Sequence, residues 1–255
     1  MKKPNETSWE TSSSWYDKIV GPKGHYYHQQ VIIPGILRLL EAEKRTHPHL
    51  LDLACGQGIL ARHLPKEMKY LGIDVSSSLI DAATKYSSKS SHQFFVHDLT
   101  HPLDLPCKEF SHATCILAIQ NLSNPLELFR TAFQHLRKNA PFIIVLNHPC
   151  FRIPRQSSWG LDEQKKLQYR RIDRYMTPLK IPILTQPSKQ QHSEETWTFH
   201  SPLSHYTAQL SQAGFLLDRI EEWCSDKKSA GKNAAMENRS RQEFPLFMTI
   251  VARKL

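Results

Sequence analysis

The sequence predicts an α/β fold: a mostly parallel sheet flanked by helices, with a cap insertion after the fifth strand. Three observations carry this. Short apolar runs alternate with segments of helical spacing between residues 49 and 147. The strongest run, FIIVL at 142–146, is continuous rather than alternating, as in a strand buried on both faces. The alternation stops at 148 and resumes near 202.

The elements are read in order. Tyr26–Glu43 has apolar residues at helical intervals and is expected to break or kink near Pro34-Gly35. His49–Ala54 is the first strand, with a helix near Ile59–Leu64 after it. Tyr70–Asp74 is the second, followed by a helix over Ser78–Tyr86. Phe94–His97 and Ala113–Ile119 are the third and fourth, and Leu126–Leu136 has helical spacing. After the fifth strand, residues 148–200 hold five prolines, and only Leu161–Met176 reads as helical. Pro202–Ala213 is a helix with Pro202 at its first turn and Gly214 past its end. Phe215–Trp223 and Phe244–Arg253 are the last two strands, and the polar run SDKKSAGKNAAMENRSRQ between them is expected to be a loop.

Hydrophobic residues form 40% of the 255, enough for a buried core and unlike a disordered chain. No apolar run has the ~20 residues of a membrane span, and the N-terminus lacks the apolar stretch of a secretory signal. The five cysteines have no C-x-x-C spacing and read as free thiols in a reducing, cytoplasmic setting. No His or Cys cluster has metal-ligand spacing, so no metal is expected. The net charge is +9, and residues 151–190 hold nine Lys or Arg against three acids. Lys166, Arg170 and Arg174 stand at i, i+4, i+8, one stripe on the expected helix, with Asp162 spaced to pair with Lys166.

The run LLDLACGQGILARHLP at 51–66 is an apolar strand entering a glycine-rich turn. Gly56-Gln57-Gly58-Ile59-Leu60-Ala61 matches G-x-G-x-x-G/A, where the backbone approaches a ligand without a Cβ in the way. Asp74 ends the second strand 18 residues after Gly56, placed for a carboxylate on ribose hydroxyls. That pattern leaves both NAD(P) and S-adenosylmethionine open. Asp52, four residues before Gly56, repels a pyrophosphate and attracts an ammonium. Asp98, after the third strand, is placed to accept from an adenine amine.

With these residues the chain resembles the class I S-adenosylmethionine-dependent methyltransferases. LDLACGQG is similar to their first motif, GIDVSSSLIDAA to the second and VHDL to the third. CILAIQNLSNPLELFRTAFQHLRKNAPFIIVLNHPCFRIP is similar to the fourth and fifth, and HSPLSHYTAQLSQAGF and EFPLFMTIVARK to the closing helix and strand of small-molecule members. The resemblance covers residues 15–150 and 200–255. It implies a Rossmann-like seven-stranded sheet with the last strand antiparallel, and S-adenosylmethionine as cofactor with S-adenosylhomocysteine as product. It also implies a core of 1–147 and 201–255 with 148–200 as the cap. Ala54, Val75, Leu99, Leu117, Ala118 and Gln120 would join Asp52, Gly56, Gly58, Asp74 and Asp98 around the cofactor. The segment WYDKIVGPKGHYYHQ would close over it, with Tyr16, Tyr27 and His28 as contacts. Two departures stand out: Ala54-Cys55 occupies a stretch that often carries a third glycine, and Leu117–Asn121 lacks the N-P-P-Y type signature of nucleic-acid amino methyltransferases.

Methyl transfer from a sulfonium needs a base only if the acceptor must lose a proton. His148, directly after the fifth strand, is the expected base, ahead of His200, His28 and His25. Pro149-Cys150 raises a nucleophile of the cytosine-C5 type, without the partner residues that chemistry requires. Trp159, Tyr169 and Tyr175 are expected to line the cap's pocket. The sequence thus points to a small acceptor under the 148–200 cap, acidic or aromatic in character. RNA methylation through the basic cap and the 225–243 loop, and an NAD(P) oxidoreductase, are the alternatives.

Overall fold

The computed structural model describes Glu10, Val20, Gly21 and residues 23–87, 89–184 and 195–255. Seven strands form one sheet: β1 (His49–Leu53), β2 (Lys69–Asp74), β3 (His92–Val96), β4 (His112–Ile116), β5 (Pro141–Asn147), β10 (Phe215–Trp223) and β11 (Phe247–Lys254). Their order is β10-β11-β5-β4-β1-β2-β3. β1 to β5 run parallel, and β11 is antiparallel to both its neighbours. The order reverses between β1 and β4, where an open sheet of this kind leaves a crevice at its carboxyl edge.

The strand runs explain themselves by burial. In β5, Phe142, Ile144 and Leu146 enter one apolar cluster and Ile143 and Val145 the other. β1 splits the same way, Leu51 and Leu53 against Leu50. Helices α3 (Leu126–His135) and α4 (Leu203–Gln212) cover the first face through residues such as Phe129 and Leu210. Helices α1 (Ile33–Ala42) and α2 (Ser77–Tyr86) cover the second through Ile36, Leu39 and Ile80. Ser76 caps α2 by accepting from the Leu79 N–H. Gly214 follows α4 with φ +101, as its position after the helix requires.

Four expectations are corrected. The helix expected near Ile59–Leu64 is a turn and one short 3₁₀ segment, Ala61–His63, cut off by Pro65. The kink expected near Pro34-Gly35 is a π-helical segment, His28–Ile32, leading into α1. The wider turn lies just ahead of Pro34, which lacks the N–H of a regular helical turn. Leu161–Met176 is not helical: β6 (Ser157–Asp162) and β7 (Leu167–Ile172) form an antiparallel hairpin. Trp159, Leu161, Leu167 and Tyr169 follow a period of two, the strand signal that the i, i+4 cations masked. In its turn Asp162 accepts from the Lys165 N–H and approaches the Lys165 ammonium, not Lys166. Finally, the polar segment after β10 contains a helix, α5 (Ala234–Glu243), held by side-chain bonds between Ser229, Asn238 and Glu237. A second hairpin, β8 (Leu179–Leu184) with β9 (Glu195–His200), lies between β7 and α4. Among the described residues no helix is long and apolar enough to cross a membrane.

Gly35 shows how tightly α1 sits on the sheet: a Cβ there would lie 2.6 Å from the Trp223 ring. In a free helix Gly→Ala is worth about 1 kcal/mol of stability. Here the clash should reverse the sign, and Gly35→Ala is expected to lower stability by about 1–3 kcal/mol. A urea midpoint that rises instead would show that the indole can move aside.

Candidate functional site

A cleft of about 380 Å³ opens at the carboxyl edge of the sheet around the switch between β1 and β4. Its floor is made by the turns after three parallel strands. After β1 the backbone turns left-handed at Ala54 (φ +61), Gly56 (φ +55) and Gly58 (φ +69). A left-handed non-glycine residue is uncommon and is held only by its surroundings. Here the Cys55 N–H donates to the Ile73 carbonyl at 2.9 Å, and the Gly56 N–H donates to Asp74 Oδ2 at 2.9 Å. Asp74 Oδ1 accepts from the Ser76 N–H at 3.0 Å. One carboxylate thus ties the first loop to the second. Leu117, after β4, is left-handed too (φ +54), with its N–H on the Val145 carbonyl.

Asp52, Ala54, Gly56, Asp74, Val75, Asp98, Leu99, Leu117, Ala118, Gln120 and His28 line this cleft. Gly58 does not: its α-carbon faces Phe94 and Ala83, which a Cβ would meet at 2.9 and 3.2 Å, so it serves packing beneath the loop. Tyr27 is also absent from the lining; its ring packs on Phe247 and its hydroxyl bonds Ser225 Oγ at 3.2 Å. Tyr16 lies outside the described residues. Gln120 is clamped, its Nε2 donating to the Asn147 carbonyl at 3.2 Å and its Oε1 accepting from the Asn147 N–H at 3.0 Å.

The carboxylates differ in setting. Asp52 is 2% exposed and accepts from the Tyr70 hydroxyl at 2.6 Å and the Thr114 hydroxyl at 2.8 Å. Burial outweighs both bonds and raises its pKa to about 6. Burial also raises Asp74, opposed by its backbone N–H donors. Asp98 accepts from the N–H and hydroxyl of Thr100 at 3.0 and 2.7 Å. On the wall, His28 is buried with no partner for Nδ1 among the described residues, and burial lowers its pKa to about 4.

His148, the expected base, sits apart from the cleft. His148 does not line the cleft, and both ring nitrogens are engaged. Nε2 donates to Glu222 at 2.7 Å, while Nδ1 accepts from the N–H groups of Cys150 and Phe151 at 3.2 and 3.3 Å. Burial lowers its pKa, against the pull of Glu222, and the neutral ring braces a turn. Cys150 is outside the cleft as well, its thiol pushed up by burial and Glu222. Trp159, Tyr169 and Tyr175, expected to line a pocket of the cap, do not line this cleft. Trp159 packs on Phe244, and the Tyr175 hydroxyl accepts from the Leu203 N–H at 3.0 Å. His200 Nε2 donates to the Tyr175 carbonyl at 2.6 Å. From the segment between β5 and α4 the wall takes Pro154, Ile183 of β8 and Thr198 of β9, and the Thr198 hydroxyl donates to the Gln120 carbonyl at 3.1 Å. Sequence reasoning missed these three and also Ile116, Leu122 and Asn147. The period-two pattern of LKIPIL and TWTF was the available signal for the hairpin.

A family model described as a methyltransferase domain matches residues 24–215. No curated protein matches the chain. Among solved structures, an S-adenosylmethionine-dependent methyltransferase from Mesorhizobium loti is 23% identical, with a TM-score of 0.65 over 85% of this chain and 96% of its own. One from Clostridium acetobutylicum is 16% identical, with a TM-score of 0.62 over 96% and 98%. A glycopeptide N-methyltransferase, MtfA, complexed with S-adenosylmethionine is 14% identical, with a TM-score of 0.60 over 88% and 94%. At these identities the likeness is one of fold.

His28 yields a pH prediction. Its folded pKa, about 4, lies below its ordinary 6.5. The unfolded chain therefore takes up the proton first, and stability falls as pH drops below 6.5 until about 4. Between pH 7 and pH 5 wild type should lose about 2 kcal/mol that His28→Gln does not lose. Parallel losses in both proteins, measured by denaturant titration, would show that the imidazole is solvated.

Proposed function

The chain belongs to the methyltransferase-domain family, and on that premise we propose that it transfers a methyl group from S-adenosylmethionine to a small acceptor held against the β8–β9 hairpin. The observation that carries the reading is the set of three carboxylates, Asp52, Asp74 and Asp98, at successive strand ends around one cleft. Their chemistry fits the cofactor's ammonium, ribose diol and adenine amine, in that order. Asp74 is fixed by two backbone N–H groups and has lone pairs left for hydroxyls. Asp52, with a pKa near 6, is drawn toward its charged form by any cation beside it. His28 Nδ1, without a partner among the described residues, adds a polar group to the same wall.

When bound, the cofactor supplies a methyl group already activated by its positive sulfur. The chain's own residues hold the acceptor in line and keep water away. Ile116, Leu117, Leu122, Pro154 and Ile183 give the cleft an apolar side suited to that task. Alignment of this kind can contribute about 7–11 kcal/mol to lowering a barrier. The volume, about 380 Å³, lies among small-molecule sites, which span roughly 300–1,000 Å³. Two observations disfavour the rivals. Three acids in the cleft oppose a dinucleotide pyrophosphate. The basic stripe expected for RNA, Lys166, Arg170 and Arg174, does not lie on one helix face: the segment is a hairpin, and Arg170 is turned to the Phe151 carbonyl and Ser157 Oγ.

Calorimetric titration with S-adenosylhomocysteine should show saturable binding, and NADH none. Asp74→Ala should weaken that binding by about 1–3 kcal/mol, the cost of stranding hydrogen-bonding groups. Labelled methyl from the donor, incubated with the protein and a cell extract, is expected in the small-molecule fraction. Label confined to ribonuclease-sensitive material would overturn the choice of acceptor.

A further inference from the structure

The residues that line the cleft divide by their place in the chain. Every lining group that can titrate lies at or before Asp98: His28, Asp52, Cys55, Asp74, His97 and Asp98. Every lining residue from Ile116 to Thr198 is apolar, an amide or a hydroxyl. The division is spatial as well. The strand order puts the turns after β4 and β5 at one end of the cleft and the turn after β3, with His97 and Asp98, at the other. The titratable half holds the three carboxylates matched above to the cofactor. The other half, with Ile183 and Thr198 of the β8–β9 hairpin, is left for the acceptor.

Two properties of that half narrow the acceptor. It carries no cation: among the described residues, none of the chain's 33 Lys and Arg lines the cleft. Against the three carboxylates the cofactor sets one net positive charge, its ammonium and sulfonium less its own carboxylate. Even with Asp52 protonated the balance stays negative. An anionic acceptor is therefore repelled, and positive charge developing on the acceptor is stabilised.

That half also holds no base. Its polar side chains are Gln120, Asn121, Asn147 and Thr198, amides and a hydroxyl that take up no proton near neutral pH. Gln120 is spent on the Asn147 backbone, and the Thr198 hydroxyl on the Gln120 carbonyl. His28 is 8% exposed, with Nδ1 unpartnered among the described residues. Burial holds its pKa to about 4, too low to draw a proton from an acceptor at neutral pH.

Hydroxyl and carbon acceptors need a proton removed, and a carboxylate brings the wrong charge. An alkyl ammonium has a favourable charge but keeps its proton. An aryl amine or a pyridine-type ring nitrogen meets both conditions, being uncharged with its lone pair free at neutral pH. That lone pair forms the N–C bond, the electron pair of the C–S bond stays on sulfur as a thioether, and the positive charge passes to nitrogen. Any N–H proton leaves to water afterwards.

We propose that the methyl acceptor is a weakly basic, uncharged nitrogen on an apolar ring body that lies against Leu122, Pro154 and Ile183. The class of acceptor rests on the methyltransferase reading; the charge of the acceptor half does not.

The test is titration of the full chain at neutral pH, with and without S-adenosylhomocysteine, using four probes of similar size: aniline, phenol, benzylamine and benzoate. Aniline should bind saturably. Benzoate should bind at least about tenfold more weakly than benzylamine, since their charges are opposite. Ile183→Lys, which adds a cation to that wall, should shift the ratio toward benzoate. In a cell extract supplied with labelled methyl donor, the labelled product should survive alkali and be retained by a cation exchanger in acid, as an N-methyl group on a weak base is. Label released by alkali as methanol marks an ester, and stable label that passes the exchanger marks an ether or a C-methyl group; either would overturn the proposal. So would no saturable binding of aniline, benzoate binding as tightly as benzylamine, or a ratio unmoved in Ile183→Lys. Where the extract yields no label, the binding ratios decide. All these failures leave the methyltransferase reading standing if S-adenosylhomocysteine binds. A protein that ignores S-adenosylhomocysteine yet keeps the benzylamine preference would retain the charge of the cleft and lose that reading.

Discussion

The cleft depends on one buried carboxylate. Asp74, at the end of β2, holds the Gly56 and Ser76 N–H groups on its two oxygens. The first bond pins the left-handed turn after β1, and the second sets the entry to α2. Without it Ala54 and Gly56 would have little to hold a conformation that, for alanine, costs of order 1–3 kcal/mol. Desolvation works against the charge that makes these bonds strong, and the N–H donors work for it. The loop geometry and the ionisation of Asp74 are therefore one equilibrium.

The other ionisable groups of the cleft are held at a disadvantage. Burial raises Asp52 toward about 6 and lowers His28 to about 4, so each resists its own charged form. Such a site gains most when a ligand brings the opposite charge or the missing hydrogen bond. The two unusual backbone conformations at the ends of β1 and β4, Ala54 and Leu117, stand in the same place. Strain, suppressed charge and the switch in strand order thus coincide at one point of the sheet.

The turn after β5 shows a second use of a buried polar group. His148 is neutral, donates to Glu222 of β10 and accepts two backbone N–H groups. It joins a strand end, the turn after it and the sheet edge in one set of bonds. The β8–β9 hairpin is in turn fixed to the cleft by Thr198 and Gln120. A rigid wall on that side lets a small change of side chain alter what fits, while the floor stays as the strands dictate.

The parallel strands were legible in the sequence because burial on both faces leaves a continuous apolar run, as in FIIVL, that no surface element shares. The acids at strand ends were legible because a parallel strand delivers its last residue to one edge of the sheet, whatever surrounds it. The hairpin of β6 and β7 was not, since its cations repeat at a helical interval while its apolar residues repeat at two, and pairing between strands decides which period counts. The bonding of His148 was hidden for a different reason: Glu222, which occupies its Nε2, lies 74 residues away in the chain. The places of Gly58 and Tyr27 were likewise decided by neighbours brought close only on folding. Sequence determined where the chain turns at the sheet's carboxyl edge and which chemical groups arrive there; tertiary structure decided which of them face the cleft, because a side chain's hydrogen-bond partners are set by distance in space.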